Sequence, residues 1–269
     1  MTRINDCLKV TKKEGKKALI AYIVNGDPFP DATLTTMHAL VAEGVDIIEV
    51  GVPFSDPMAE GLTIQLGHER SLEHNTSLTS TIDLVREFRQ TNSDTPVVLM
   101  GYANPVERMG YQNFASMAGA AGLDGLLTVD LPPEESVELN ACLKEVGIES
   151  VFLIAPTTTM DRAKQIAALA SGFLYYVSLN GVTGAGHLDV ASVTRKLSEL
   201  RQITELPICV GFGIKDAESA KAVATYADGV IVGSLLVDQM GKMANSTADQ
   251  IGEAVADLIK PIRMGLDEL

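Results

Sequence analysis

The chain has 269 residues, 46% of them apolar, which is enough to bury a large core in one large or two small domains. Its 21 Lys and Arg residues are outnumbered by 35 Asp and Glu residues, and the net charge of −14 argues against nucleic acid or an anionic membrane as partner. Its short apolar runs could not span a bilayer, no signal-peptide core follows the N-terminus, and the scattered Cys7, Cys142 and Cys209 suit a reducing cytoplasm.

One pattern repeats along the chain: a short β-branched run, a loop rich in Gly, Pro or Asp, and a segment with helical periodicity. The runs are ALIAYIV (18–24), DIIEV (46–50), PVVLMGY (96–102), GLLTVDL (125–131), SVFLIAP (150–156), FLYYVS (173–178), PICVGFG (207–213) and GVIVGS (229–234). Strands that are apolar throughout and alternate with helices indicate a parallel sheet covered on both faces. Eight such units predict an α/β fold, a (β/α)8 TIM barrel, and no Gly-x-Gly-x-x-Gly follows the first strand to favour a dinucleotide-binding fold.

Helical periodicity is clearest in six segments between these runs, at 31–44, 77–90, 133–147, 160–171, 189–202 and 216–227. Two further helices are predicted outside the repeat. Residues 2–14 would cover the barrel floor before the first strand, and residues 247–260 would form the last helix. Because no linker-like composition divides the chain, we expect residues 1–269 to form a single barrel domain with an extra N-terminal helix.

The second strand carries a carboxylate, Glu49, inside its apolar run. Period-2 alternation places Glu49 on the same face as Ile47, so Glu49 can point into the barrel mouth, where burial would raise its pKa towards neutrality. A carboxyl group in that state can give and take a proton, although a buried Glu with a hydrogen-bond partner is the alternative. In the loop that follows, Asp56 fits a structural turn role, and Glu60 is the better second carboxylate.

Glycines follow the last three strands, in NGVTGAG (180–186), GFGI (211–214) and the GS pair at 233–234 that opens a helix. Loops in these positions of a barrel, together with a helix N-terminus, commonly hold phosphate through backbone N–H groups. Ser234 could add a hydroxyl donor. The four histidines show no metal-like pairing: His38 falls in a helical pattern, and His68, His74 and His187 are assigned to loops.

These motifs resemble the tryptophan synthase alpha chain family. The family signature Glu-x-Gly-x-Pro-Phe-Ser-Asp-Pro-x-Ala-(Asp/Glu)-Gly is followed throughout by residues 49–61. Further matches are NGDP (25–28), LMGYANP (99–105), DGLLTVDLPPEE (124–135), YYVS (175–178), GVTGA (181–185) and GFGI (211–214).

The resemblance implies a lyase that splits indole-3-glycerol phosphate into indole and glyceraldehyde 3-phosphate in tryptophan biosynthesis. It assigns proton transfer to Glu49 and acceptance of the indole N–H to Glu60. Substrate-binding positions implied by the family are Tyr22, Met100, Tyr102, Leu127, Tyr175, Thr183 and Phe212, and phosphate-binding positions are Gly184, Gly213, Gly233 and Ser234.

The resemblance also implies an alpha-2-beta-2 complex in which the partner beta chain, and not this chain, carries pyridoxal phosphate. Three positions depart from the commonest family pattern: Glu60 for Asp, Leu62 for Pro, and Asn180 in the sixth loop. They leave open a subunit that mainly activates the beta chain. Another phosphate-handling barrel, such as a sugar-phosphate epimerase or isomerase, would need a different acid/base pair or metal-binding histidines at strand ends.

Overall fold

Parallel strands pair in chain order and close into a barrel in the computed structural model, which describes residues 2–177, 190–211 and 213–269. The strands are β1 (Ala18–Val24), β2 (Ile47–Gly51), β3 (Val97–Gly101), β4 (Gly125–Thr128), β5 (Glu149–Ile154), β6 (Leu174–Val177), β7 (Ile208–Gly211) and β8 (Gly229–Val232). The ring closes where β8 pairs with β1, Gly229 lying opposite Ala18. The predicted (β/α)8 barrel is therefore confirmed.

One helix precedes β1, and at least one helix follows every strand. The helices are α1 (Arg3–Lys13), α2 (Pro30–Ala42), α3 (Leu62–Glu73), α4 (Leu78–Phe88), α5 (Ala103–Met109), α6 (Tyr111–Ala121), α7 (Val137–Glu145), α8 (Met160–Leu169), α9 (Val190–Leu200), α10 (Ala217–Ala224), α11 (Ser234–Lys242) and α12 (Ala248–Leu266). Side-chain caps set several starts: Thr2, Ser77, Asp216 and Thr247 each accept a backbone N–H of the first turn.

All six helices predicted between the strands are present, but α7 starts four residues later than its pattern, at Val137. The two prolines before it form a turn that Ser136 closes by donating its N–H to Pro132 O. Helices α3, α5 and α6 were not predicted. His68, assigned from sequence to a loop, lies inside α3, which corrects that assignment.

The two faces of each strand serve two separate cores. Ile48 and Val50 of β2 belong to the layer between the strands and the outer helices. Ile47 lies with Ile20 and Val98 inside the barrel, so alternation along β2 is as predicted. The inner core ends at the floor, where Ile4 and Leu8 of α1 pack beneath it, in the position expected for the N-terminal helix.

Candidate active site

Glu49 lies near the carboxyl end of β2, between Tyr22 of β1 and Val98 of β3. Its side chain is 0% exposed, and within the described residues neither carboxylate oxygen has a hydrogen-bond partner. Burial, and then the nearby charge of Glu60, raise the pKa of Glu49 from its ordinary value of 4.5 to about 8. The alternative of a buried Glu with a hydrogen-bond partner is therefore not what the described residues show.

Residues 52–61, here called the carboxylate loop, connect β2 to α3. The loop leaves the sheet where Val52 donates its N–H to Met100 O (2.8 Å) and ends where Ile64 N–H donates to Gly61 O (3.0 Å). Glu60 is half-buried near its end, and burial raises the pKa of its carboxyl to about 7. Two carboxyl groups that titrate around neutrality thus occupy the same end of the barrel.

Three tyrosines stand around these carboxyl groups. Burial and the neighbouring Glu49 and Glu60 raise the pKa values of Tyr22 and Tyr175 well above the ordinary value, so both phenols remain protonated. The Tyr22 hydroxyl lies so close over Gly51 that any side chain there would collide with it. Tyr102 is 2% exposed, and its hydroxyl oxygen accepts the backbone N–H of Ala59 at 3.1 Å.

The candidate phosphate region lies beside Tyr22. Gly233 precedes α11, and a side-chain carbon at this position would meet the Tyr22 ring at 3.2 Å. Leu236 and Val237 donate their N–H groups to Gly233 O, so the N–H groups of Ser234 and Leu235 are those of the first turn without an intrahelical acceptor. Such a helix start favours an anion.

Gly213 belongs to the same edge of the sheet. Because Gly211 pairs with Ile231, Gly213 and Gly233 each lie two residues beyond that pair. Gly213 has a φ of +78°, a left-handed conformation that favours glycine. The ends of β7 and β8 thus carry two glycines, Gly213 and Gly233, at matching positions on one edge of the barrel.

Residues 8–262 match the family model described as tryptophan synthase alpha chain. The chain is 52% identical to the tryptophan synthase alpha chain of Marinobacter nauticus, over 100% of this chain and 99% of that protein. The chain belongs to the tryptophan synthase alpha chain family.

Solved structures agree with this membership. Tryptophan synthase subunit alpha from Legionella pneumophila superposes with a TM-score of 0.92 at 40% identity, covering 100% of both chains. A chain of the tryptophan synthase α2β2 complex from Pyrococcus furiosus has a TM-score of 0.84 at 38% identity, over 92% of this chain and 98% of that one. The protein is accordingly a lyase that cleaves indole-3-glycerol phosphate to indole and glyceraldehyde 3-phosphate in tryptophan biosynthesis.

Seen as a tryptophan synthase alpha chain, the molecule brings most of the predicted site together. Met100 packs against the cluster that contains Tyr22, and Leu127 is fully buried in the inner core. Thr183, Gly184 and Phe212, also predicted to bind substrate, lie outside the described residues, as do His187 and Asn180. Leu62 is the first residue of α3 and is 72% exposed.

The other polar residues of this end have local roles. Asp56 is exposed and its carboxylate accepts the Ser55 hydroxyl at 2.6 Å, while its own carbonyl accepts the N–H of Met58. His74 contacts Pro28 O at 2.9 Å. Across the residues that the structure describes, no group of three His, Cys, Asp or Glu side chains could hold a metal ion.

Gln65 and His68 also belong to this region, and neither was predicted to do so because α3 was not predicted. The sequence does contain a pattern that indicates this helix: Ile64, His68 and Ser71 recur at helical spacing and form part of the buried face of α3.

None of the helices that the structure describes has the length and apolar character needed to cross a bilayer.

Proposed function

We propose that Glu49 is the acid and base of the cleavage reaction. Bond breaking requires protonation of the indole ring carbon and removal of a proton from the side-chain hydroxyl. A carboxyl group whose pKa is about 8 holds a proton at neutral pH and also releases it readily. The observation that carries the proposal is that both Glu49 oxygens are buried without a protein partner, which leaves them available to a substrate.

Glu60 takes the complementary role of accepting the indole N–H. Protonation of the ring carbon places positive charge on the ring nitrogen, and a carboxylate there stabilises that charge. The negative charge of an ionised Glu60 raises the pKa of Glu49, so an ionised Glu60 favours a protonated Glu49. This coupling supports Glu49 as the proton donor and Glu60 as the anion.

The remaining positions form the substrate site. Tyr22, Met100, Tyr102, Leu127 and Tyr175 would bound the indole ring and glycerol chain, completed by Thr183 and Phe212. The phosphate group would bind the backbone around Gly184, Gly213, Gly233 and Ser234. The N–H groups of Ser234 and Leu235 have no acceptor within α11, and they support this placement because such groups can bind an anion without a lysine.

Assembly and setting follow from the family. The similar Pyrococcus furiosus chain is described as part of an α2β2 complex with mutual activation, and we place this chain in the same kind of complex, with pyridoxal phosphate on the beta chain. The three scattered cysteines suit a reducing cytoplasm, where we place the protein. We treat residues 1–269 as one domain, because α1 packs beneath the inner core of the barrel and α12 packs on α2.

The test is turnover of indole-3-glycerol phosphate by Glu49→Gln, with and without a cognate beta chain. Loss of a proton-transfer group should lower kcat by roughly 10²–10⁴-fold in both conditions, while the substrate still binds. Glu145→Gln is the matched control, because Glu145 is an exposed carboxylate of α7. Parental kcat in Glu49→Gln would contradict the assignment. A parental protein inactive in both conditions would instead favour a subunit that only activates its partner.

A further inference from the structure

The carboxylate loop is held by side chains from outside it. His68 of α3 accepts the N–H of Phe54 at its ring Nδ1 (3.1 Å), near the start of the loop. Tyr102 accepts the N–H of Ala59, and Gln65 Nε2 donates to Glu60 O at 2.8 Å. The loop backbone on both sides of its bend is therefore bound to groups that belong to the barrel wall and to α3.

The start of the loop has few other hydrogen-bond options. Pro53 has no N–H, so Phe54 carries the first donor after Val52, whose N–H makes the last contact with β3. The Phe54 ring also stacks on the Tyr102 ring, with centroids 4.9 Å apart. A shift of Phe54 would therefore be transmitted to Tyr102, and from there to Ala59 and Glu60.

The surroundings of His68 show that packing alone does not account for an imidazole there. The residue is 1% exposed, and within the described residues its buried Nε2 has no hydrogen-bond partner. Because Nδ1 accepts from Phe54, the ring proton lies on Nε2, and an unpaired buried N–H lowers stability. Burial also lowers the pKa of His68 to about 4, so the ring keeps Nδ1 free to accept at neutral pH.

We propose that His68 is a positioning residue of the cleavage reaction: through its bond to Phe54, it fixes the carboxylate loop so that Glu60 meets the indole nitrogen. The inference rests on the proposed role of Glu60. It requires that His68 act on kcat through Glu60 and leave phosphate binding, which lies at the ends of β7 and β8, unchanged.

The experiment compares two amides at position 68. The side-chain oxygen of Asn occupies roughly the place of Nδ1, whereas that of Gln occupies roughly the place of Nε2. We expect His68→Gln to lower kcat by about three- to tenfold, the factor that one ordinary hydrogen bond is worth, with KM near the parental value. His68→Asn should retain most of kcat. If His68→Gln does not fold by circular dichroism, His68→Phe takes its place.

The same substitution is then made in Glu60→Ala. If His68 acts through Glu60, His68→Gln causes no further loss there, because coupled residues are not additive. Parental kcat in His68→Gln, equal losses in the Asn and Gln variants, or the same further loss in Glu60→Ala would each overturn the inference. Parental kcat in Glu60→Ala alone would instead overturn the proposed role of Glu60, so the two failures are distinguishable.

Discussion

Glu49→Gln is expected to stabilise the protein at neutral pH, because folding keeps the Glu49 carboxyl group protonated at a pH where it would ionise in water. Its pKa is 4.5 when solvated and about 8 in the folded chain. The folded state therefore binds more protons than the unfolded state between these values, and the Glu49 contribution to stability falls as pH rises through that window. Gln is the uncharged isostere of the protonated form and removes this dependence.

The size of the effect follows from the shift. Each pH unit between the two pKa values lowers the free energy of unfolding by about 1.4 kcal/mol, so at pH 7 the parent should be about 3 kcal/mol less stable than Glu49→Gln. At pH 4.5 the two proteins should differ little. For a chain of this size the gain at pH 7 corresponds to roughly 6–12 °C in Tm.

The assay is guanidinium unfolding of the parent and of Glu49→Gln at pH 5, 6, 7 and 8. The stability gap should widen by about 1.4 kcal/mol per pH unit and then flatten near pH 8. Glu145→Gln, at an exposed position, should show no such gap. A gap that does not change with pH, or a Glu49→Gln protein less stable than the parent at pH 7, would refute the reasoning that burial raises this pKa.

Further outcomes are expected for Glu60, for the phosphate region and for the partner surface. Glu60→Ala should raise the activation free energy of the cleavage step by about 2–4 kcal/mol and should lower kcat more than it weakens substrate binding. Glu60→Asp should retain much of the activity. Steady-state kinetics that find full kcat in Glu60→Ala would exclude the proposed role of Glu60. Ser234→Asp should raise KM for indole-3-glycerol phosphate without unfolding the protein, because an acidic residue suits a helix start but repels phosphate. Gly213→Asp should raise KM too, but its positive φ adds strain, so Ser234→Asp is the cleaner measurement. Mixing with a cognate beta chain should raise turnover. Met58 is 79% exposed in the carboxylate loop, and Met58→Glu should weaken association with the beta chain on size-exclusion chromatography more than Val10→Glu on α1 does.

The barrel and the direction of Glu49 could be read from local pattern. Apolar runs of strand length separated by helical periods predict a closed parallel sheet, and alternation along β2 puts Glu49 on the inner face with Ile47. These features depend on neighbours in sequence, because side-chain direction in a strand follows from backbone geometry. The motif of residues 49–61 added the family and its reaction, which the barrel alone would not have identified.

The protonation states and hydrogen bonds of the candidate active site depend on residues that are far apart in the chain. The pKa values of Glu49 and Glu60 rise because other elements of the fold bury their carboxyl groups. Whether a buried carboxylate oxygen has a hydrogen-bond partner depends on side chains from all the surrounding strands. Tyr102, expected from sequence to contact substrate, also holds the Ala59 N–H, and His68, expected in a loop, binds Phe54 from α3. Periodicity carries no information about such pairings, since they arise only when β2, β3 and α3 pack together and fix the loop between them.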